Sequence, residues 1–233
     1  ESFFLEYFME GIKSQSIKDK SIIASGHTFQ THEPGITLNM NGQFDQQSHK
    51  DMAQEHDLIY LSKPLGTGYL LAAYYLNSPL LLSQDIQKLF NFLKLDNQFA
   101  YEAARNNECI SMTDISGFGL ASHLGDICDS SNLSARINLN NQILINDKIS
   151  ILKNFESTGY DKNYKSNSQN IYIKNSNDYE KILYDPQTNG PMLMAINPSN
   201  KEKFENDFHN LYKRKPLLIG SFEKKLDNLI IID

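Results

Sequence analysis

The sequence is poor in several residue types, and each shortage excludes a class of protein. The 233 residues contain only two cysteines, Cys109 and Cys128, with no CxxC spacing and no Cys/His cluster, which argues against a disulfide scaffold and a structural zinc site. Arginine occurs at three positions and the formal net charge is -6, so we expect no nucleic-acid partner. Apolar runs such as residues 69–76 are far shorter than the ~20 residues of a membrane helix. We therefore expect a cytoplasmic protein without a membrane segment in this chain.

Valine and tryptophan are also absent, but the hydrophobic content of 40% is ordinary, and a length of 233 residues is enough for one sizeable core or two small ones. Residues 2–11 predict a helix that is apolar on most sides and therefore has to be buried. Since little precedes this helix, we expect the chain to begin inside a domain. The polar stretch 45–56 lacks apolar periodicity and predicts a boundary loop. The sequence thus divides into residues 1–45, the tail of one domain, and residues 46–233, a second domain.

Hydrophobic periodicity predicts a mixture of short strands and helices. Strands are expected at 21–24, 36–40, 58–61, 109–112, 192–196, 217–220 and 229–232, and helices at 69–76, 84–105, 118–128 and 201–212. The stretch 154–178, rich in Asn, Ser and Lys, predicts a long mobile loop around one strand at 171–173. The fold class is α+β, or mixed α/β layers, with helices on one face of a mostly antiparallel or mixed sheet.

Asp114 is the strongest candidate site residue. It follows a predicted strand and precedes Gly117 and Gly119. Glycines allow close approach of the backbone to a phosphate, and Mg²⁺ prefers hard oxygen ligands, so this spacing fits a metal ligand. The alternative is that Asp114 or Ser116 caps the following helix, which on spacing alone is the commoner role.

A second candidate is the turn formed by Ser25, Gly26, His27 and Thr28, which offers hydroxyl and imidazole groups to a phosphate. Without other information, an ordinary tight turn with one surface histidine is the favoured interpretation.

Three further features favour structural roles. Residues 63–68, KPLGTG, predict a strand-to-helix turn whose N–H groups could hold an anion, but they lack the Gly-Lys-Ser/Thr of a Walker A loop. Residues 185–190, DPQTNG, predict a turn between strands, with no catalytic role assigned. His123 lies beside apolar residues and is expected to be packed, and both cysteines are expected to behave as small buried hydrophobes.

Four segments together resemble the motifs of the selenophosphate synthetases, also called selenide, water dikinases. MTDISGFGL at 112–120 is similar to the family's TDVTGFG, SGHT at 25–28 to GGHT, KPLGTG at 63–68 to KPLGTG, and DPQTNG at 185–190 to the start of DPQTSGG. They occur in the family's order. Ser25, Asn189 and Pro191 depart from the motifs, and proline at 191 removes an N–H that could contact a phosphate.

The resemblance implies the aminoimidazole ribonucleotide synthetase-like fold. Residues 1–45 would be the tail of its N-terminal ATP-binding, dimer-barrel domain and residues 46–233 its C-terminal α/β domain. It also implies a homodimer that converts ATP, selenide and water into selenophosphate, AMP and phosphate with Mg²⁺ as cofactor. Asp114 would ligate the metal, and the 25–28 turn would contact ATP.

The family's nucleophile, an N-terminal Cys or selenocysteine with a nearby Lys, has no counterpart in these residues. We therefore expect that they alone cannot turn over ATP. Two alternatives are a non-catalytic nucleotide-binding or dimerisation module of the same fold, and a kinase or ligase with another substrate.

Overall fold

The computed structural model describes residues 2–29, 32, 35–43, 48–109, 111–146 and 149–233. They divide into two compact units, Glu1–Asp45 and Gln46–Asp233. In no described helix is there a stretch long and apolar enough to cross a membrane.

The first unit contains one helix, α1 (Ser2–Lys18), followed by irregular chain over the described residues. The end of α1 is closed by Ser21, whose N–H donates to the carbonyl of Ser16 at 2.9 Å. Apolar side chains of α1, such as Phe4 and Tyr7, are exposed within this chain, so the expected burial is not observed. The strands expected at 21–24 and 36–40 are wrong, because a strand needs a hydrogen-bonded neighbour and the described part of this unit contains none. The assignment of this unit to the tail of an N-terminal domain stays a prediction.

The second unit is a mixed sheet with helices packed against it. Its elements in chain order are β1 (Leu58–Leu61), α2 (Thr67–Tyr75), α3 (Ser83–Leu93), α4 (Gln98–Arg105), β2 (Met112–Asp114), α5 (Gly119–Ser130), β3 (Leu133–Ile137), α6 (Ile149–Asn154), α7 (Tyr160–Asn167), β4 (Ile171–Ile173), β5 (Met192–Ile196), α8 (Lys201–Tyr212), β6 (Leu217–Lys224) and β7 (Ile230–Ile232). The strand order is β2-β5-β1-β6-β3-β7-β4. Across the sheet, neighbouring strands pair antiparallel from β2 through β5, β1 and β6 to β3, and parallel from β3 through β7 to β4. This pattern confirms the expected mixed sheet.

The sheet is covered by helices on both faces, not on one as the sequence led us to expect. Alternate residues of a strand point to opposite faces, and β1 accordingly places Ile59 and Leu61 in one apolar cluster and Tyr60 in the other. The larger cluster includes buried residues of α2, α3, α5 and α6. The smaller one includes alanines of α4 and phenylalanines of α8.

Other differences from the expected elements have physical causes. The single helix expected over 84–105 is two helices, α3 and α4. Between them, the carbonyl of Leu95 accepts hydrogen bonds from the side chains of two residues distant in sequence, Lys63 Nζ and Asn189 Nδ2, in place of a helical N–H. The stretch expected to be a mobile loop contains α7, whose Tyr164 packs edge-to-face on Tyr184 at 5.0 Å. Strand β3 was not predicted, although its sequence, LSARI, alternates apolar and polar residues as a strand does.

Candidate functional site

Asp114 is the last residue of the edge strand β2, where it pairs with Met192 of β5. Its side chain is exposed, and its carboxylate has no hydrogen-bond or ion-pair partner among the residues that the structure describes. Gly117, three residues further, is exposed as well, and a Cβ built on it would meet nothing within 4 Å. The strand therefore presents a free carboxylate to solvent beside an open stretch of backbone.

The capping interpretation of this segment is wrong. Helix α5 begins at Gly119, its N-cap is Phe118, and no side chain makes a cap hydrogen bond. Asp114 and Ser116 lie too early in the chain to serve that end. In the described part of the chain, the carboxylate of Asp114 therefore does not cap a helix.

His123 supports this turn from one helical turn away. The Ser116 N–H donates to His123 Nε2 at 3.2 Å, and the Ser116 hydroxyl lies 3.3 Å from the same nitrogen. Burial, followed by the charge of Lys50, lowers the pKa of His123 below its ordinary value. The ring is thus held neutral with Nε2 as an acceptor, in agreement with the expected packed histidine.

The KPLGTG and DPQTNG turns bind each other through Gln187. Its Oε1 accepts from the N–H groups of Gly66 at 2.9 Å and Thr67 at 3.2 Å, and from the Thr67 hydroxyl at 3.1 Å. Its Nε2 donates to the carbonyl oxygen and the Oδ2 of Asp185 at 2.9 and 2.8 Å. The Thr67 hydroxyl in turn accepts from the Thr188 N–H at 2.8 Å. The donors at the start of α2 are therefore occupied by protein acceptors, which explains why these two motifs are structural.

These contacts form a clamp between the KPLGTG and DPQTNG turns, and Asp185 is its buried centre. Its carboxylate accepts from Gln187 Nε2, from the Gly68 N–H at 3.2 Å and from the Ser157 hydroxyl at 3.2 Å. Burial raises its pKa to about 7, against the opposing effect of these hydrogen bonds. A Cβ at position 68 would lie 2.2 Å from the carbonyl oxygen of Pro186, so glycine is required there.

The same segment holds the Asp114 turn. The Ile115 N–H donates to the carbonyl of Pro191 at 2.8 Å, and the Gln187 N–H to the carbonyl of Ser116 at 3.0 Å. From α7, Asn163 Nδ2 donates to the carbonyls of Gly117 and Tyr184 at 2.9 and 3.0 Å. Sequence reasoning missed Asn163 because a single Asn in a polar stretch carries no positional signal.

The 25–28 turn lies in the first unit and is irregular, exposed chain, and Gly26 has open space around it. Its proposed contact with ATP stays a prediction.

The described residues offer Mg²⁺ no preformed cluster of side-chain ligands. No group of three or more His, Cys, Asp or Glu side chains is gathered as a metal site in the parts of the chain that the structure describes. Mg²⁺ commonly keeps several waters and binds one or two protein carboxylates together with substrate phosphates. The free carboxylate of Asp114 fits that second arrangement and does not form a metal site by itself.

Comparison with known proteins agrees with this architecture. Residues 54–212 match the family described as AIR synthase related protein, C-terminal domain. A relative named "Selenide, water dikinase" from Shewanella sp. (strain ANA-3) is 30% identical over 92% of this chain and 61% of its own length. The chain thus spans about three fifths of that relative.

Two solved structures share the fold. Thiamine-monophosphate kinase from Stenotrophomonas maltophilia K279a has a TM-score of 0.57 at 17% identity, covering 81% of this chain and 54% of that one. Hydrogenase maturation protein HypE in complex with ATP has a TM-score of 0.50 at 12% identity, covering 76% and 45%. With the match over most of its length, the chain belongs to the AIR synthase related protein, C-terminal domain family.

Proposed function

We propose that this chain is part of a selenophosphate synthetase, which converts ATP, selenide and water into selenophosphate, AMP and phosphate. The observation that carries the proposal is the free carboxylate of Asp114 beside the open Gly117, in a segment that resembles the TDVTGFG motif. The relative named selenide, water dikinase supports the reaction, and the fold neighbour in complex with ATP supports the nucleotide.

In this proposal Asp114 binds Mg²⁺ together with the phosphates of ATP, and Ser25, Gly26, His27 and Thr28 contact the nucleotide. When bound, Mg²⁺ would neutralise charge along the triphosphate. The neutral ring of His123 keeps the Ser116 N–H in place through its Nε2.

The nucleophile has to come from outside these residues. Cys109 and Cys128 are both buried, and burial raises the pKa of each thiol to about 12. Because the thiolate is the reactive form, neither can attack at neutral pH. We therefore propose that a Cys or selenocysteine and a Lys elsewhere in the enzyme complete the site, in a cytoplasmic homodimer. Two free cysteines are in keeping with a reducing compartment.

The test is Mg²⁺-dependent binding of ATP to the 233-residue chain by calorimetry. We expect Asp114→Asn to weaken binding by about tenfold or more, since it removes a charged ligand, and to leave urea stability unchanged. The matched control is Asp129→Asn, which removes a charge from the far end of α5, where the carboxylate is 80% exposed. Equal affinity of the two variants for ATP would refute the role of Asp114.

The alternative is a non-catalytic nucleotide-binding or dimerisation module, which Ser25 and Pro191 favour as departures from the family motifs. Intact-mass and N-terminal peptide analysis of the natural gene product separates the two. A longer product with a Cys or selenocysteine closely followed by Lys, and selenide-dependent AMP formation, would support the synthetase. A natural start close to Glu1, with ATP binding and no turnover, would support the module.

A further inference from the structure

A groove of about 590 Å³ lies on one face of the sheet, where β3, β7 and β4 run side by side. Arg136, Ile231 and Tyr172 form one row across these strands and line the groove. Their neighbours, such as Ala135 and Ile230, belong to the larger apolar cluster on the opposite face. Among the described residues, the smaller cluster under α4 and α8 includes no side chain of β3, β4 or β7. The helices therefore leave this part of the face open, and Tyr172 is 54% exposed there.

The turn between β6 and β7 forms one wall of the groove, and a buried side chain holds it in place. The hydroxyl of Ser134 donates to the carbonyl of Asn228 at 2.7 Å and accepts from the Leu226 N–H at 2.9 Å. On the floor, the guanidinium of Arg136 donates two hydrogen bonds to Glu223, at 3.1 and 3.3 Å. The groove is therefore preformed, and a preformed site has little ordering entropy to lose when a partner binds.

Positive charge is in excess along this groove. Three cations, Arg136, Lys174 and Lys225, line it together with one carboxylate, that of Asp227, although the whole chain has a formal net charge of -6. Arg136 is balanced by its own carboxylate partners, so the two lysines supply the excess. Within the described residues, the ammonium of Lys174 has no ion pair or hydrogen bond, and Lys225 has a loose pair with Asp129 at 3.6 Å. Both ammonium groups are thus accessible to carboxylates of a partner.

Strand β4 is the edge of the sheet beside the groove, and no described strand pairs with its outer side. The carbonyl of Asn170 accepts from the Leu229 N–H at 2.9 Å. The Lys174 N–H donates to the carbonyl of Ile232, also at 2.9 Å. Backbone groups of a strand alternate in direction, so Ile173 directs its N–H and carbonyl away from the sheet. Such an open edge is a template for an added strand.

We propose that the groove binds an acidic segment of a partner protein, which adds to the outer edge of β4 as an extended strand. Neighbouring strands lie about 4.8 Å apart, and alternate side chains of a strand share one face. Every second side chain of the added strand lies beside Tyr172 and Lys174, where a carboxylate pairs with the ammonium. The others lie beside Ile171 and Ile173, which pack on the larger apolar cluster and are partly exposed. The segment therefore alternates acidic and apolar residues.

This surface is separate from the proposed ATP site. β4 and β2, which carries Asp114, are the two opposite edges of the seven-stranded sheet. Six strand spacings separate them, or roughly 25–30 Å. The interaction is a further function of the chain and does not depend on the proposed selenophosphate chemistry.

The test measures the binding of a labelled heptapeptide, in which glutamate and isoleucine alternate, to the 233-residue chain by fluorescence anisotropy at low ionic strength. We expect saturable binding that weakens as salt is added. Shifts of backbone amides in NMR spectra are expected to centre on Ile173. The matched control peptide has the same composition with its glutamates and isoleucines in separate blocks. It should bind at least about fivefold more weakly, because alternation is what puts the acidic groups on one face.

Charge reversal tests the role of the lysine. We expect Lys174→Glu to weaken binding of the alternating acidic peptide at least about fivefold, and to bind the corresponding peptide of lysine and isoleucine instead, since the paired charge changes sign. The control variant is Lys165→Glu, an exposed lysine of α7 that does not line the groove. It is expected to change the affinity less than about twofold, because salt and distance screen its charge.

Four outcomes would overturn the proposal. These are the absence of saturable binding to the unsubstituted chain, equal affinity for the alternating and the block peptide, equal weakening in the two variants, and amide shifts centred outside β4. Equal affinity for the two peptides would indicate a non-specific attraction of negative charge. Because Asp114, Mg²⁺ and ATP take no part, failure here leaves the proposed function untouched.

Discussion

Replacing Gln187 by glutamate is the sharpest test of the clamp between the two turns. In the structure Gln187 Nε2 donates to Asp185 Oδ2 at 2.8 Å, and both side chains are buried. The Gln187→Glu change keeps the size of the side chain and the acceptor that faces Gly66 and Thr67. It replaces the donating Nε2 with a carboxylate oxygen, which would then lie at hydrogen-bond distance from Asp185 Oδ2.

The expected cost follows from this geometry. Two carboxylates whose charges lie about 4 Å apart repel by about 4 kcal/mol at an effective dielectric constant of about 20. A lost hydrogen bond in a buried site adds about 1–3 kcal/mol. The sum is a large part of the ~5–15 kcal/mol that stabilises a typical domain. At alkaline pH we therefore expect the variant to be close to unfolding.

Low pH should relieve the repulsion. In the folded variant the pair retains one shared proton, so its folded pKa is raised above the unfolded values of about 4. A raised folded pKa contributes stability that is present below the unfolded pKa and lost as pH rises through the folded one. Asp185 already gives the unsubstituted chain such a dependence up to its pKa of about 7. The variant should therefore lose more stability than the parent as pH rises, and should continue to lose it above that value.

Urea unfolding at about pH 5 and about pH 8 measures the difference in the free energy of unfolding between the unsubstituted chain and the Gln187→Glu variant. Gln87→Glu is the control, because Gln87 is exposed on α3 and undergoes the same chemical change. A stability difference that is small at both pH values, or equal at both, would refute the clamp.

Two other substitutions and one labelling experiment test the packing. Gly68→Ala places a Cβ 2.2 Å from the Pro186 carbonyl and is expected to cost more than about 3 kcal/mol in urea unfolding. The control is Gly125→Ala in α5, whose Cβ would meet its nearest neighbour at 3.8 Å and which should be neutral or stabilising by up to about 1 kcal/mol. An equal loss of stability in the two variants would contradict the reasoning. Cys109 and Cys128, whose thiol pKa values are raised to about 12, should react with a thiol reagent only after unfolding, and rapid labelling of the native chain would contradict their burial.

The elements that the sequence predicted best are those with strong periodicity and clear ends. β1, β5 and α8 have the predicted bounds, 58–61, 192–196 and 201–212. β3 was missed although its sequence alternates apolar and polar residues, and the structure buries Ser134 as well as Leu133 and Ala135, which the alternation does not predict. The break between α3 and α4 depends on hydrogen bonds from residues distant in sequence, which local patterns do not contain.

The candidate site shows the same limit. Asp114 was identified from its motif, and its free carboxylate could be established only from the structure. Gln187 lay inside a recognised motif, but its pairing with the turn at Gly66 spans 121 residues and leaves no local trace.

The departures from the family motifs can now be judged by what the backbone does at each. Asn189 has φ +48, in the left-handed region that asparagine tolerates, and its Nδ2 donates to the carbonyl of Leu93 at 2.8 Å. Pro191 lacks an N–H, but its carbonyl accepts the Ile115 N–H beside Asp114 at 2.8 Å. Both positions therefore support the site through groups that the substitution preserves or adds. Pro191 is therefore compatible with an intact Asp114 turn, since that contact needs only its carbonyl oxygen, and the N–H that it lacks bears only on a direct contact with a phosphate.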